Sequence, residues 1–199
     1  MKSINRQHTL RKQKILDKSI QLLLKHGYQN TNIRAISQAV GFEGPGFYHY
    51  FSSKDDLLRQ ILEKSTKQFE EEVIRKVKTI DDPEEKIRTT IRVVINLLIN
   101  SKETILIIDD SLLKGYKKTA REVYRKPFLL LREIVKELAK TRLIENSVDP
   151  TVATFSLIGM LTWTYKWYNP KGRISIDELS DQITQLYFNG FIGRSASLP

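Results

Sequence analysis

The densest group of chemically useful side chains in this sequence is a short aromatic segment. Phe47, Tyr48, Tyr50 and Phe51 occupy four of five consecutive positions, and His49 is the fifth. Tyrosine hydroxyl and histidine imidazole groups can bond to phosphates or base edges. The two phenylalanines suit the small core beneath such a segment. The pattern predicts a nucleic-acid-binding surface.

The residues before and within this segment predict a helix-turn-helix motif. A short helix over 33–40 is followed by a turn, and Gly44-Pro45 suits the start of a second helix over 44–50. In such a motif the second helix enters the major groove of DNA. Gly44 and Gly46 have no side chains to hinder a close approach.

The residues predicted to contact DNA all lie in or beside this motif: Thr31, Arg34, Gly44, Pro45, Gly46, Phe47, Tyr48, His49, Tyr50 and Lys54. Thr31 is also a plausible N-cap for the helix at 33–40. Lys54 is expected to bring a positive charge, and the free backbone amides of a helix start, to a phosphate.

The charge distribution leaves two explanations open. The chain carries a formal net charge of +10, and residues 1–60 contribute ten basic and four acidic side chains, a balance of +6. This excess indicates either a surface that binds a polyanion or a solvated, lysine-rich surface. Lys2, Arg6 and Arg11 could likewise form a disordered arm that reaches the DNA backbone or minor groove, or simply be solvated.

Several function classes are disfavoured by what the sequence contains. It has no cysteine, which excludes disulfides, thiolate zinc sites and cysteine nucleophiles. His8, His26 and His49 are too scattered to bind one metal. Asp109 and Asp110 are adjacent on a predicted helix and point apart, unlike a catalytic carboxylate pair. We therefore expect neither an enzyme, nor a metal site, nor a cofactor.

No run of about 18 apolar residues occurs, so no membrane span is expected. The basic N-terminus lacks the apolar stretch of a signal peptide, which predicts a cytoplasmic protein.

Helical periodicity of apolar residues predicts an all-α fold of about nine helices. Their expected bounds are 9–26, 33–40, 44–50, 54–79, 83–99, 102–114, 116–142, 150–168 and 175–192. Asp82, Asp149 and Ser175 are predicted N-caps, and Pro127 is expected to kink or split the seventh helix. We expect a DNA-binding domain over 9–69, with its helix-turn-helix at about 32–51, and a ligand-binding and dimerisation domain over 70–193.

Residues 15–58 resemble the N-terminal domain of the tetracycline-repressor (TetR) family of regulators, without a gap. The matching positions are Gly27-Tyr28, Thr31, Ile33, Ile36, Gly41, Tyr48, Tyr50-Phe51, Lys54 and Leu57. The resemblance implies an α-helical homodimer that represses by binding a palindromic operator in double-stranded DNA and is released by a small molecule. It also implies that Tyr48 contacts a phosphate. Glu43, Gly44 and Pro45 depart from the family pattern, so the resemblance does not predict which bases the protein recognises.

Residues 159–191 resemble the end of a TetR subgroup that includes fatty-acid-metabolism regulators answering to acyl-CoA. This implies an acyl-CoA effector, although the same helices form the dimer interface across the family, so the pattern could record dimerisation. A multidrug or xenobiotic sensor is the alternative regulator. A nucleoid-type DNA-binding protein without ligand control is a third class.

In the C-terminal part, one set of residues is predicted to bind the effector and a second set to form the dimer interface. An apolar tunnel with cations at its mouth would be built from Tyr116, Arg121, Tyr124, Arg125, Phe128, Phe155, Met160, Trp163 and Trp167. Lys117, Lys118 and Arg132 are further cations for an anionic head group. The dimer interface is predicted to contain Phe155, Gly159, Ile183, Leu186 and Tyr187.

Overall fold

The computed structural model describes residues 2–41, 44–108, 113–114, 116–141 and 148–190, and all regular structure within these ranges is helical. The prediction of an all-α fold is thereby confirmed. The α-helices, in chain order, are α1 (Lys2–Asn30), α2 (Ile33–Val40), α3 (Lys54–Phe69), α4 (Arg75–Lys78), α5 (Pro83–Asn100), α6 (Lys102–Ile108), α7 (Lys117–Lys140), α8 (Pro150–Trp167) and α9 (Ile176–Asn189).

The helix starts follow the capping residues seen in the sequence. Asp82 and Asp149 accept hydrogen bonds from the first backbone amides of α5 and α8, each with a proline directly after the cap. Ser175 and Glu178 form a reciprocal capping box at α9. Glu85, expected to close a similar box at α5, instead accepts from the Thr89 hydroxyl.

The chain forms two compact units, of which the first comprises Met1–Gln68 and Lys102–Tyr124. Its core is built from apolar residues of α1, α2, α3 and α6, and it includes Phe47, Phe51 and Leu113. Helix α1 starts at Lys2 and runs past its predicted end at residue 26. Gly27 has φ 74° inside it, a conformation that glycine adopts easily, and it kinks the last turn.

The second unit comprises Phe69–Ser101 and Arg125–Pro199. Its core lines the contacts of α5 with α8 and α9. Pro127 lies inside α7, which nevertheless continues from Lys117 to Lys140 without being split.

The long helix expected over 54–79 is helical from Lys54 to Lys78, but it contains one wider turn. A π-helical turn, Glu70–Ile74, separates α3 from α4, and Val73 within it is fully buried. Such wide turns are rare and are found inside helices, often near functional regions. No helix in the described parts of the chain is both long and apolar enough to span a bilayer.

Candidate functional site

The predicted second helix of the helix-turn-helix motif is a 3-10 helix, Gly44–His49, rather than an α-helix. Phe47 and Phe51 are 0% and 1% exposed, and their ring centroids lie 5.6 Å apart. The Phe47 carbonyl accepts from the amides of both Tyr50 (3.0 Å) and Phe51 (3.2 Å). Two buried rings and a tight turn therefore hold the 3-10 helix against the core of the first unit.

The outer side of the 3-10 helix carries polar aromatic groups. Tyr48 is 59% exposed, and its ring meets the edge of Phe47 at 5.6 Å. His49 is also exposed, while Tyr50 is half-buried and stacks on His8 of α1. The segment thus presents a phenol and an imidazole outward from a buried apolar base.

The prediction that Thr31 caps α2 is wrong. Asn32 is the N-cap, because its side-chain oxygen accepts from the amide of Ala35 at 2.8 Å. Thr31 is 2% exposed, and its hydroxyl donates backward to the Gly27 carbonyl at 2.8 Å. Thr31 therefore supports the turn between α1 and α2, whereas Arg34 is exposed on α2.

Lys54 was expected to meet a phosphate, but its side chain points into its own unit. Its Nζ atom donates to the carbonyls of Tyr28 (2.8 Å) and Thr31 (2.9 Å) and lies 4.0 Å from the centroid of the Tyr28 ring. Burial lowers the pKa of Lys54 from its ordinary value. The ammonium group is therefore engaged within the protein.

The start of α3 holds a well-bonded carboxylate. Asp56 accepts from the side chain of Gln60 (3.0 Å), the amide of Ser52 (3.0 Å) and the guanidinium of Arg59 (2.7 Å). These donors, Gln60 first, lower the pKa of Asp56 to about 2. The Ser53 hydroxyl accepts from the Asp56 amide and caps the helix.

The basic N-terminal residues belong to a helix, so the expectation of a disordered arm is not what the structure shows. Helix α1 begins at Lys2, and Arg6 and Arg11 are exposed on it. Lys12 lies 5.5 Å from the ring centroid of Phe51, and Lys14 donates to the carbonyl of Val40 at 3.3 Å. Helix α1 thus contacts the motif around Lys12 and Lys14.

The predicted ligand-binding residues are divided between the two units. Tyr116 belongs to the first unit, where its ring lies 5.4 Å from that of Tyr28. Phe128 contacts Phe155 at 5.1 Å, and Met160 is half-buried against the second core.

The predicted cations of α7 are described only in part. Arg125 is exposed. The Nε atom of Arg132 is buried and has no hydrogen-bond partner among the described residues. The side chains of Lys117, Lys118, Arg121 and Tyr124 lie outside the described residues.

Trp163 and Trp167, predicted to line a tunnel, lie on the outer face of α8. They are 64% and 53% exposed. Val152 and Phe155, at 60% and 59%, share this face, since they precede Gly159 and Trp163 at helical spacing. A Cβ atom placed on Gly159 would meet nothing within 4 Å. We call these five residues, Val152, Phe155, Gly159, Trp163 and Trp167, the α8 stripe.

The predicted dimer residues of α9 divide into two groups. Leu186 is 41% exposed, whereas Ile183 is 6% exposed and belongs to the second core. Tyr187 is half-buried, and its hydroxyl donates weakly to the Ala153 carbonyl at 3.5 Å. Burial raises the pKa of Tyr187 to about 12. Leu186 is thus the member of this set on α9 that faces solvent.

Sequence reasoning missed three contributors. His8 and Tyr28 contact the motif through ring contacts with Tyr50 and Lys54, partners far away along the chain, and no local signal marks such pairs. Val152 could have been found, because it continues the helical spacing of Phe155 and Gly159.

Known proteins resemble this chain along most of its length. AibR, whose crystal structure was determined in complex with isovaleryl coenzyme A and operator DNA, is 31% identical with a TM-score of 0.80. The match covers 89% of this chain and 98% of the AibR chain. The fatty acid metabolism regulator protein of Bacillus subtilis (strain 168) is 20% identical over 180 residues, and the match covers 88% of this chain and 93% of that protein.

The fold also matches the fatty acid degradation regulator FadR from Bacillus halodurans. The TM-score is 0.71 at 20% identity, covering 92% of this chain and 97% of that one. Residues 15–61 match the family model for bacterial regulatory proteins of the tetR family. Residues 80–191, more than half of the chain, match the tetracyclin repressor-like C-terminal domain. The chain therefore belongs to the TetR family of bacterial regulatory proteins.

Proposed function

We propose that this protein is a repressor that binds a palindromic operator as a homodimer and releases it when an acyl-coenzyme A binds. Membership of a family of regulatory proteins favours a regulator over an enzyme. The observation that carries DNA binding is the 3-10 helix, because it presents Tyr48 outward from the buried Phe47 and Phe51. A segment held this rigidly can place donors against phosphates or base edges.

The two roles divide along the chain. We assign DNA binding to residues 9–69 and ligand binding and dimerisation to residues 70–193. Residues 102–124 pack with the first unit, although their numbers fall inside the range assigned to ligand binding. Effector binding could therefore change the position of the motif through this segment of the chain.

The α8 stripe supports the homodimer. Large exposed apolar side chains concentrated on one helix mark an interaction surface rather than ordinary surface. Gly159 lies in the middle of the stripe with open space around it, which allows a partner helix to approach closely. Leu186 on α9 would extend this seam. A two-fold dimer predicts two operator half-sites related by the same symmetry.

Support for the effector comes from two sources. AibR was crystallised with isovaleryl coenzyme A, and the Bacillus subtilis relative is a fatty acid metabolism regulator. Within this chain, the buried Nε atom of Arg132 lacks a partner among the described residues. Leaving such a donor unbonded costs about 1–3 kcal/mol, and an anionic group of a ligand would offset that cost.

Release then follows from linkage. An effector that prefers one conformation of the dimer weakens operator binding by the same factor by which the operator weakens effector binding. Coupling of about 1–3 kcal/mol gives roughly 5- to 150-fold release. No separate energy source is needed for the switch.

The test uses the full chain and an operator chosen by selection from random duplex DNA. Fluorescence anisotropy of the operator complex is followed during titration with isovaleryl-, octanoyl- and palmitoyl-coenzyme A, with free coenzyme A as the control. We expect release by at least one acyl-coenzyme A, and none by free coenzyme A at equal concentration.

Three other outcomes would each contradict a part of this proposal. Failure to select a palindrome would contradict operator binding itself. Release by cationic or aromatic drugs, with all acyl-coenzyme A compounds inactive, would replace this proposal with a multidrug or xenobiotic sensor. No release and no shift of melting temperature with any compound would indicate a DNA-binding protein without ligand control.

A further inference from the structure

The ammonium group of Lys54 lies at a junction of three chain segments. Its Nζ atom bonds to the carbonyls of Tyr28 and Thr31 at 2.8 and 2.9 Å, and it lies 4.0 Å from the Tyr28 ring centroid. A lysine ammonium has three N–H donors. Two meet carbonyl oxygens, and the group also faces an aromatic ring, which is a favourable place for a cation. One N–H donor remains for any contact with DNA.

These partners lie at the turn between α1 and α2. Tyr28 follows the kink at Gly27, and Thr31 directly precedes Asn32, the N-cap of α2. Carbonyls at the end of a helix lack partners within the helix and carry partial negative charge. A cation is therefore well suited to hold this turn, and here it comes from the first residue of α3.

This arrangement encloses the recognition segment. The chain leaves the junction at Thr31, passes through α2 and the 3-10 helix, and returns to the same ammonium group at Lys54. The ammonium group of Lys54 thus joins the two ends of the segment that contains the helix-turn-helix motif.

A fourth residue supports the junction from another part of the chain. The Tyr116 ring lies 5.4 Å from the Tyr28 ring, at an angle of 49°. The backbone amide of Tyr116 donates to the carbonyl of Leu113, which is itself buried in the core of this unit. Tyr116 directly precedes α7, so the Tyr28 ring is supported by the segment that joins α6 to α7.

We propose that Lys54 is a positioning residue for operator binding, not a phosphate contact, and that Tyr116 acts with it through the Tyr28 ring. This rests on the proposed operator binding, and binding by the parent protein tests that separately. A phosphate contact and a positioning residue differ in salt dependence, since each lost phosphate contact lowers the slope of log K against log salt by about 0.9.

Three variants separate the two roles: Lys54→Met, Lys54→Arg and Tyr116→Leu. Operator and random-sequence DNA affinities are measured from low to moderate salt, well below each variant's melting temperature. We expect Lys54→Met to bind operator about tenfold more weakly with the parent's salt slope. Lys54→Arg should also weaken binding, because a planar fork cannot replace a point charge between two carbonyls. Arg34→Met, at an exposed position of α2, is the charge-matched comparison and should lower the slope.

Tyr116→Leu carries the second half of the proposal, and it applies even if a Lys54 variant fails to fold. It should weaken operator binding a few-fold without changing the salt slope, and the double variant with Lys54→Met should bind no worse than Lys54→Met alone. The ratio of operator to random-DNA affinity should fall in each case, which a role in stability alone would not cause.

Opposite results would overturn the proposal. A slope lowered by about 0.9 in Lys54→Met, together with full affinity in Lys54→Arg, would make Lys54 a phosphate contact. Unchanged operator affinity in Tyr116→Leu, or strictly additive effects in the double variant, would remove Tyr116 from the mechanism.

Discussion

The imidazole of His8 stacks on the ring of Tyr50, with centroids 4.6 Å apart and 27° between the ring planes. This contact joins the first turns of α1 to the end of the 3-10 helix. Arg6 and Arg11 lie within three residues of His8 and are exposed. Arg11, three positions after His8, lies on the same face of α1 as this stack.

Arg11→Met should weaken operator binding several-fold and lower the salt slope by about 0.9, because one phosphate contact is lost. Random-sequence DNA should be bound more weakly by a similar factor, since a backbone contact carries no sequence information. Electrophoretic or anisotropy titrations at several salt concentrations measure both. Arg173→Met, exposed in the second unit, is the matched control, and an equal effect there would show only a net-charge effect.

Tyr48→Phe should weaken operator binding about 3- to 10-fold, because it removes one hydroxyl hydrogen bond to a phosphate. The melting temperature should stay the same, since the side chain is 59% exposed. Tyr168→Phe is the comparison variant, and it should change stability rather than operator affinity. It removes a partly buried hydrogen bond to the Ile174 carbonyl, so it should lower stability by about 1 kcal/mol and leave operator affinity unaltered.

Asp56 should make the first unit sensitive to acid. Its pKa of about 2 lies below the value of about 3.9 in an unfolded chain. The stabilisation is therefore complete above about pH 4 and is lost as the pH falls toward 2. Asp56→Asn should lower the free energy of unfolding by about 1–2 kcal/mol at neutral pH and flatten its fall below pH 4. Urea unfolding at a series of pH values measures this.

Asp55→Asn is the control for that experiment, because Asp55 is exposed in the same first turn of α3. It should lose only the small helix-dipole term of about 0.3–1 kcal/mol. Equal acid profiles for the parent and Asp56→Asn would refute the assignment of the low pKa.

Leu186→Glu should dissociate the proposed homodimer, because a carboxylate would be buried without a partner at a cost of several kcal/mol. Sedimentation velocity across a range of concentrations measures the dissociation constant. Gln185→Glu adds the same charge at the neighbouring exposed position and should leave the dimer intact. A Leu186→Glu protein that sediments like the parent would place the interface elsewhere.

Local patterns predicted much of the fold. Apolar spacing identified the helices, and Asp82, Asp149 and Ser175 cap them as predicted. Each of these signals depends only on residues close together in the chain, so the sequence alone is enough to predict them. The choice between Thr31 and Asn32 as a cap depended on which hydroxyl or amide oxygen could reach the helix, and the Gly27 carbonyl had already taken the Thr31 hydroxyl.

The role of Lys54 could not be predicted from local sequence patterns. A lysine at a helix start beside a cluster of aromatic residues suggests a phosphate contact, and nothing within its own helix contradicts this. Its partners Tyr28 and Thr31 lie 26 and 23 positions earlier in the chain. The 3-10 helix at residues 44–49 likewise lies over the buried rings of Phe47 and Phe51, and burial in a core is a tertiary effect.

A homodimer formed through the α8 stripe, as proposed, would link stability to abundance. Val152, Phe155 and Trp163 are exposed in the single chain, and the proposed dimer would cover them. By mass action, a dimer that buries them draws chains out of the unfolded state more strongly as the protein concentration rises. The melting temperature should then increase with concentration, and a regulator kept at low copy number would work near the lower end of its own stability range. Its turnover by proteases would slow as more of it is made.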